Sequence, residues 1–166
     1  MIPNLAHAIR QQQEFSRDGE ELAAKILSDY GFRVFFNREH PYHGYDLMVY
    51  PNVAIEVKSS AGRMVNDKAQ GFQFNLYRVG HSKRITEPIT MLLCVSTYDN
   101  VVPFIIPTEI IAYKNCISIS SANPLLYKKK WRHYLNAFDR IVLAGGKRFK
   151  KGWVTNDFAK FMEMQK

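Results

Sequence analysis

The chain is short of cysteine, of long apolar runs and of acidic residues, and each shortage excludes a class of protein. Its two cysteines, Cys94 and Cys116, lie inside apolar segments without metal-ligand spacing, so we expect buried, reduced thiols. No apolar run approaches the roughly 20 residues that a membrane-spanning helix needs. The N-terminal residues MIPNLAHAIRQQQEF lack a basic start followed by an apolar core. We therefore expect no signal peptide and a cytoplasmic protein.

The shortage of acid leaves a formal net charge of +8 on 166 residues, of which 46% are hydrophobic. This length and composition predict one globular domain, residues 1 to 166, with a basic C-terminal segment, residues 128 to 166. Residues 128 to 151 alone hold nine Lys or Arg against one acid, Asp139. Such clustering favours a polyanionic partner, since bound phosphates release their counterions. A merely solvated basic face is the alternative.

Residues 44 to 58, GYDLMVYPNVAIEVK, contain two short apolar runs separated by Pro51 and Asn52. Proline followed by asparagine marks a turn, so the stretch predicts a strand, a tight turn and a second strand. Because side chains alternate across a strand, Glu56 and Lys58 share one face of the second strand. Asp46, at the start of the first strand, can lie beside them.

Ionisable groups on an otherwise apolar hairpin are costly unless they pair with one another or bind a metal. Two carboxylates, Asp46 and Glu56, with a backbone oxygen between them make the oxygen-rich kind of site that Mg²⁺ takes. A lysine beside such a site, here Lys58, can stabilise charge that develops on a phosphate. A structural ion pair at a strand edge is the alternative that these residues alone leave open.

The spacing of Asp46 and Glu56-Val57-Lys58 resembles the motif of the PD-(D/E)XK nuclease superfamily, although Tyr45 stands where the family name has proline. The resemblance implies an α/β restriction-endonuclease-like core, in which α-helices flank a mixed central β-sheet. It implies hydrolysis of DNA with Mg²⁺, for which Mn²⁺ can substitute, held by Asp46, Glu56 and the Val57 carbonyl. Lys58 would orient the attacking water, and cleavage would leave 5′-phosphate and 3′-hydroxyl ends.

A helix is predicted for residues 15 to 30, with Gly31 as its C-terminal cap. Its inward stripe consists of Ala23, Ile26, Leu27 and Tyr30. Glu20 falls on that stripe, whereas Glu21 lies with Lys25 on the solvated side. Nucleases of this superfamily carry a glutamate on the first helix, so the resemblance gives Glu20 a catalytic and metal-supporting role. Glu21 is the alternative if the helix phase is off by one, and a simple preference of acids for a helix start is another explanation.

The middle of the chain predicts further strands. Residues 72 to 79 alternate apolar and polar residues, which favours a strand over the helical Gln-x-x-x-Tyr motif of some exonucleases and lets Gln73 face DNA. Residues 33 to 37, 90 to 96, 101 to 106 and 116 to 120 are also predicted as strands, with Pro103 indicating an edge position and residues 59 to 62 forming a loop. Residues 107 to 111 predict a helical turn, and residues 124 to 141 a helix that ends before a break at Gly145 and Gly146.

Over residues 19 to 111 this order of elements resembles a small-nuclease branch of the superfamily, similar to homing endonucleases and archaeal Holliday-junction resolvases. Together with the charge pattern it predicts double-stranded DNA as partner, no membrane, and a homodimer or higher homo-oligomer that cuts both strands. The predicted DNA contacts are Gln73, Lys147, Arg148, Lys150 and Lys151. A catalytically inactive DNA-binding protein and an RNA-acting protein remain open, as does the choice among restriction-like, homing and junction-resolving roles.

Overall fold

The structure is a computed structural model and describes residues 3–37, 45–65, 68–76, 85–97, 100–119 and 129–148. Within these ranges the elements are α1 (Pro3–Asp29), β1 (Val34–Phe36), β2 (Leu47–Val49), β3 (Val53–Ser60), β4 (Arg63–Val65), β5 (Lys68–Asn75), β6 (Ile89–Thr97), β7 (Asn100–Pro107), a 3-10 turn (Thr108–Ile110), β8 (Cys116–Ile119), α2 (Lys129–Arg132) and α3 (Asp139–Arg148). No helix in the described part of the chain is long and apolar enough to cross a membrane.

The strands form a five-stranded sheet in the order β1-β2-β3-β6-β7 and a three-stranded sheet in the order β4-β5-β8. In the larger sheet β3 and β6 run parallel, and the other neighbours run antiparallel. The sheet is therefore mixed, which confirms the predicted α/β class with helices beside a central mixed sheet. β7 is an edge strand, as Pro103 indicated.

Two apolar cores lie on the two faces of the five-stranded sheet. On the face that we call the helical face, Leu27 of α1 and Ile141 of α3 pack against Ile55 and Met91. On the opposite face, Phe72 and its neighbours in the three-stranded sheet, together with Trp131 of α2, pack against β6 and β7. Successive side chains of β3 point to the two faces in turn. Ile55, opposite Ile89, points to the helical face, and Glu56, opposite Thr90, points to the other face.

The predicted hairpin is confirmed, with Leu47 opposite Ile55 and Val49 opposite Val53 across the Pro51-Asn52 turn. The buried strand at residues 90 to 96, the edge strand, the helical turn and the small strand at residue 116 are confirmed as well. Gly31 has a φ of 89° and its N–H donates to the Ser28 carbonyl, the conformation of a helix C-cap.

The single helix predicted for residues 124 to 141 is wrong. α2 ends at Arg132, and the chain then pairs with the edge strand, where Ile105 N–H donates to the Tyr134 carbonyl and Asn136 N–H donates to the Pro103 carbonyl. Asn136 has a φ of 50°, which a helix interior does not allow. The apolar spacing favours a helix here, but hydrogen bonds to β7 stabilise a non-helical backbone at Tyr134 and Asn136.

The break predicted at Gly145 and Gly146 is also wrong, because both glycines lie inside α3. A Cβ added at Gly145 would come within 3.3 Å of Val53 Cγ2, so the glycine allows a close approach of α3 to β3. Ser59 and Ser60, predicted in a loop, continue β3 beside Leu93 and Cys94.

Smaller differences concern the first helix and one thiol. α1 begins at Pro3, well before residue 15, while its end agrees with the prediction. Cys94 is buried as expected, and burial raises the pKa of its thiol to about 12. Cys116 is exposed, because its side chain lies on the outer side of β8 where Ile117 takes the inner position.

Candidate active site

Asp46 lies where β2 begins, and its carboxylate is held by the backbone of β3. Its N–H donates to the Ile55 carbonyl at 3.0 Å, and its Oδ2 accepts the Val57 N–H at 2.7 Å. The Asp46 carboxylate thus accepts the hydrogen bond that a backbone carbonyl would accept if β2 continued its antiparallel pairing with β3. In a regular strand the N–H and C=O of one residue point to the same side, so the Val57 carbonyl also faces the Asp46 edge.

Glu56 and Lys58 project from β3 on the face opposite the helical face. They form an ion pair, with Lys58 Nζ 2.6 Å from Glu56 Oε1. Glu56 is only 2% exposed, whereas the Lys58 side chain keeps 23% of its surface in solvent. A buried carboxylate is stable only when it is paired, so this lysine neutralises one of the charges here. The exposed part of the Lys58 side chain is open to a bound molecule.

Gly19 brings α1 against the end of β3. It is buried, and a Cβ built on it would lie 2.5 Å from Ser59 Oγ and 2.9 Å from Ser59 Cβ. A side chain at this position would therefore push α1 away from the strand. Glu20 is the next residue, and its charge acts on Asp46. Glu21 is exposed and pairs with Arg17 at 3.6 Å, so Glu20 is the glutamate that α1 brings to this group.

Negative charge is in excess around Asp46. Burial, followed by the charge of Glu56, raises the pKa of Asp46 from 3.8 to about 7. The Val57 N–H opposes this rise, Glu20 adds to it, and Lys58 opposes it. The charges of Glu56 and Glu20 thus disfavour an ionised Asp46 and that of Lys58 favours it, and a divalent cation beside Asp46 would favour it further.

Asp46, Glu56 and the Val57 carbonyl are the oxygen groups here that could hold a metal ion. Within the described ranges, no three His, Cys, Asp or Glu side chains come close enough together to hold a metal ion. Mg²⁺ usually takes only one or two carboxylates and completes its shell with water and substrate phosphate. Asp46, Glu56 and the Val57 carbonyl are groups of that kind, and Glu20 could act directly or through water.

Comparison with known proteins bears on the fold. No protein-family model matches this chain, and no curated protein matches it. A similar solved structure is that of a bacterial homing endonuclease, I-Ssp6803I, with a TM-score of 0.60 and 15% identity, covering 80% of this chain and 92% of that one. This chain shares the fold of a homing endonuclease. At 15% identity the likeness extends to the fold alone.

Gln73 lies near the end of β3 that carries Lys58, whereas the side chains of the basic residues predicted to contact DNA are outside the described residues. Gln73 N–H donates to Ser60 Oγ at 3.3 Å, two residues beyond Lys58, and its exposed side chain donates to Cys116 Sγ at 3.3 Å. Lys147 and Arg148 lie in the last turn of α3, and their side chains are outside the described residues. Lys150 and Lys151 lie outside them altogether.

The role of Gly19 was missed in the sequence. A glycine in a helix interior is about 1 kcal/mol less favourable than alanine, so it needs a packing reason. Its position directly before Glu20 was a usable indication that α1 comes close to another element there.

Proposed function

We propose that this protein is a metal-dependent endodeoxyribonuclease of the PD-(D/E)XK type that hydrolyses phosphodiester bonds of double-stranded DNA. The observation that carries the proposal is the position of Asp46, Glu56 and Lys58 around Val57 of β3, with the charge of Glu20 acting on Asp46. A fold shared with a homing endonuclease supports an endonuclease over other enzymes that use two carboxylates and a lysine.

In the proposed site, Asp46, Glu56 and the Val57 carbonyl hold Mg²⁺, with Glu20 contributing through water. When bound, the ion would lower the pKa of the attacking water and neutralise charge on the phosphate. Mn²⁺ should substitute, since it accepts the same oxygen ligands.

Lys58 has the position and the exposure for two tasks. Its ammonium lies 2.6 Å from Glu56, so it can donate a hydrogen bond to a water held beside that carboxylate. Its charge also stabilises the additional negative charge on the phosphate as the water attacks. The bond from phosphorus to the 3′ oxygen breaks, which leaves a 5′-phosphate and a 3′-hydroxyl.

Double-stranded DNA is the proposed partner, because the formal net charge is +8 and the basic residues cluster near the C-terminal end. Gln73, Lys147, Arg148, Lys150 and Lys151 are the proposed contacts. Cutting both strands with one site per chain favours a homodimer or a higher homo-oligomer.

The test is a cleavage assay on supercoiled plasmid, linear duplex and a four-way junction, with Mg²⁺, with Mn²⁺ and with excess EDTA. We expect nicked or linear products with either metal ion and none in EDTA. Full cleavage in EDTA would reject the metal. Binding without cleavage of any substrate would instead support an inactive DNA-binding protein, and preferential cleavage of RNA an RNA-acting one.

A further inference from the structure

An arginine lies between two exposed aromatic rings at the β1 edge of the five-stranded sheet. Arg33 Cζ is 5.3 Å from the Phe35 ring centroid and 5.6 Å from the Tyr50 ring centroid. Phe35 is 45% exposed and Tyr50 is 52% exposed. Tyr50 N–H donates to the Arg33 carbonyl at 2.8 Å, which fixes the two segments together. We call these three residues the Arg33 cluster.

The Arg33 cluster lies on the same face of the sheet as Glu56 and Lys58. Phe35 is opposite Met48, and Met48 is opposite Ala54, so these side chains share one face. Ala54, Glu56 and Lys58 alternate along β3 and point to that face as well. Strand spacing and rise per residue place the Cα atoms of Phe35 and Glu56 roughly 12 Å apart.

The cluster has the chemistry of a phosphate contact. Among the residues that the structure describes, Arg33 forms no ion pair, so its charge is not already neutralised by them. Arginine over aromatic rings is held in place, and its N–H fork fits phosphate oxygens bidentately. Exposed rings beside it offer flat apolar surface to a sugar or a base.

We propose that the Arg33 cluster binds the sugar-phosphate backbone of the substrate DNA. The contact lies within about four nucleotides of the scissile phosphate, at 3.4 Å of rise per nucleotide along one strand. This inference rests on the proposed function and adds a positioning surface to it, on the exposed part of the face that carries Glu56 and Lys58. Arg33 binds a phosphate of the DNA strand, while the Phe35 and Tyr50 rings keep the Arg33 side chain in place.

The experiment measures duplex affinity at several salt concentrations, in Ca²⁺ to limit cleavage, together with KM and kcat in Mg²⁺. Arg33→Gln should weaken binding about tenfold and flatten the slope of log affinity against log salt by roughly 0.9. KM should rise, with kcat unchanged at saturating DNA. Arg33→Lys should keep the slope but lose affinity, since lysine has no fork.

Arg17→Gln is the matched control, because Arg17 is an exposed arginine on α1, beyond the other face of the sheet. Equal slopes and affinities for Arg33→Gln and Arg17→Gln would overturn the inference. A Phe35→Ser/Tyr50→Ser variant should bind DNA less tightly and sediment like the wild type. If it changes only the sedimentation mass, the cluster is a contact between copies of the chain, and the inference fails.

The two proposals can fail separately. If the wild type binds DNA but never cleaves it, while Arg33→Gln still loses affinity and slope, the DNA surface stands and the nuclease function falls. If the wild type cleaves DNA and Arg33→Gln cleaves with unchanged KM, the nuclease stands and the surface falls.

Discussion

Neighbouring residues of β3 point to opposite faces of the five-stranded sheet and meet different surroundings. On the helical face, Ile55 and Val57 join an apolar core with α1 and α3. On the opposite face, Glu56 is buried with an ion pair to Lys58, and Thr90 is buried with a hydrogen bond to Thr108 at 2.8 Å. The first face contributes stability through burial of apolar surface.

The buried Glu56–Lys58 ion pair of the opposite face lowers stability or leaves it unchanged, since buried charges must first be desolvated. A fold keeps such groups where they perform chemistry more readily than where they only pack. Along β3, the comparison therefore assigns stability to the side chains on the helical face and function to those on the opposite face, whose own apolar core lies against β6 and β7. Substitutions on each face can test that assignment.

The largest effect should follow from Lys58. Lys58→Met removes the ammonium from the site, and we expect the single-turnover cleavage rate to fall by about 10³-fold, the size seen for loss of a charge-stabilising donor. Lys58→Arg keeps the charge beside Glu56 but moves its donors, so it should fold normally and still cleave far more slowly. Duplex affinity measured in Ca²⁺ should be nearly unchanged in both.

Lys25→Met is the control, because Lys25 is exposed on α1 and pairs with Asp29. If Lys58→Met and Lys58→Arg both cleave as fast as Lys25→Met, Lys58 has no catalytic role and the opposite face loses its assigned function.

A substitution on the helical face should do the reverse. Ile105 is fully buried in that core, so Ile105→Ala should lower the free energy of unfolding by roughly 2–5 kcal/mol. The rate of cleavage well below the melting temperature should change little, because no polar group of the site is touched. Urea unfolding measures the expected loss of stability, and the plasmid assay measures the cleavage rate. A lower cleavage rate in folded Ile105→Ala would contradict the assignment of function to the opposite face.

Asp46 connects stability with pH. Its pKa is raised to about 7 in the folded protein, so between pH 4 and 7 the folded state binds more protons than the unfolded state. In metal-free protein this contribution to stability is present at low pH and is lost as pH rises through about 7. Asp46→Asn removes it, and we expect the variant to be more stable than the wild type at pH 8 by about 1–3 kcal/mol, a discounted figure for a group that is not fully buried.

The measurement is urea unfolding in EDTA at pH 5 and pH 8, with Asp29→Asn as an exposed control. Adding Mg²⁺ at pH 8 should stabilise the wild type but not Asp46→Asn, as expected for an ion that binds only the folded site. A wild type whose stability rises from pH 5 to pH 8 by more than that of Asp46→Asn would contradict the raised pKa.

The hairpin was predictable because its information is local. A proline-asparagine turn between two short apolar runs predicted the hairpin, and the period of two along a strand places Glu56 and Lys58 on one face. A continuous apolar run predicted β6, and alternating apolar and polar residues predicted the part of β5 that carries Gln73. These elements need no knowledge of the rest of the chain.

The remainder depended on contacts between distant residues. Tyr134 and Asn136 leave the helical conformation because β7 offers them hydrogen bonds, and Gly145 lies inside α3 where its missing side chain allows a close approach to Val53. The surroundings of Asp46 likewise depend on Glu20, which α1 supplies. Apolar spacing in one stretch cannot reveal a partner elsewhere in the fold.

The smallest effect should come from Gly19, where α1 on the helical face supports the site on the other. Gly19→Ala places a Cβ against Ser59, and overpacking of this kind costs about 1–3 kcal/mol. The gain in helix propensity offsets up to about 1 kcal/mol of that. We expect a small loss of stability and a loss of cleavage rate much smaller than that of Lys58→Met, because the shift of α1 moves Glu20 away from Asp46.

Ser59→Gly supplies the control, since it removes the two atoms, Oγ and Cβ, that the new methyl group would meet. In the Gly19→Ala/Ser59→Gly double variant, the cleavage rate should return most of the way to that of Ser59→Gly alone. A double-mutant cycle of rates and unfolding free energies then gives the coupling between the two positions. Additive effects would mean that Gly19 does not act through Ser59, and α1 would have to be placed at the site by its apolar contacts with the helical face alone.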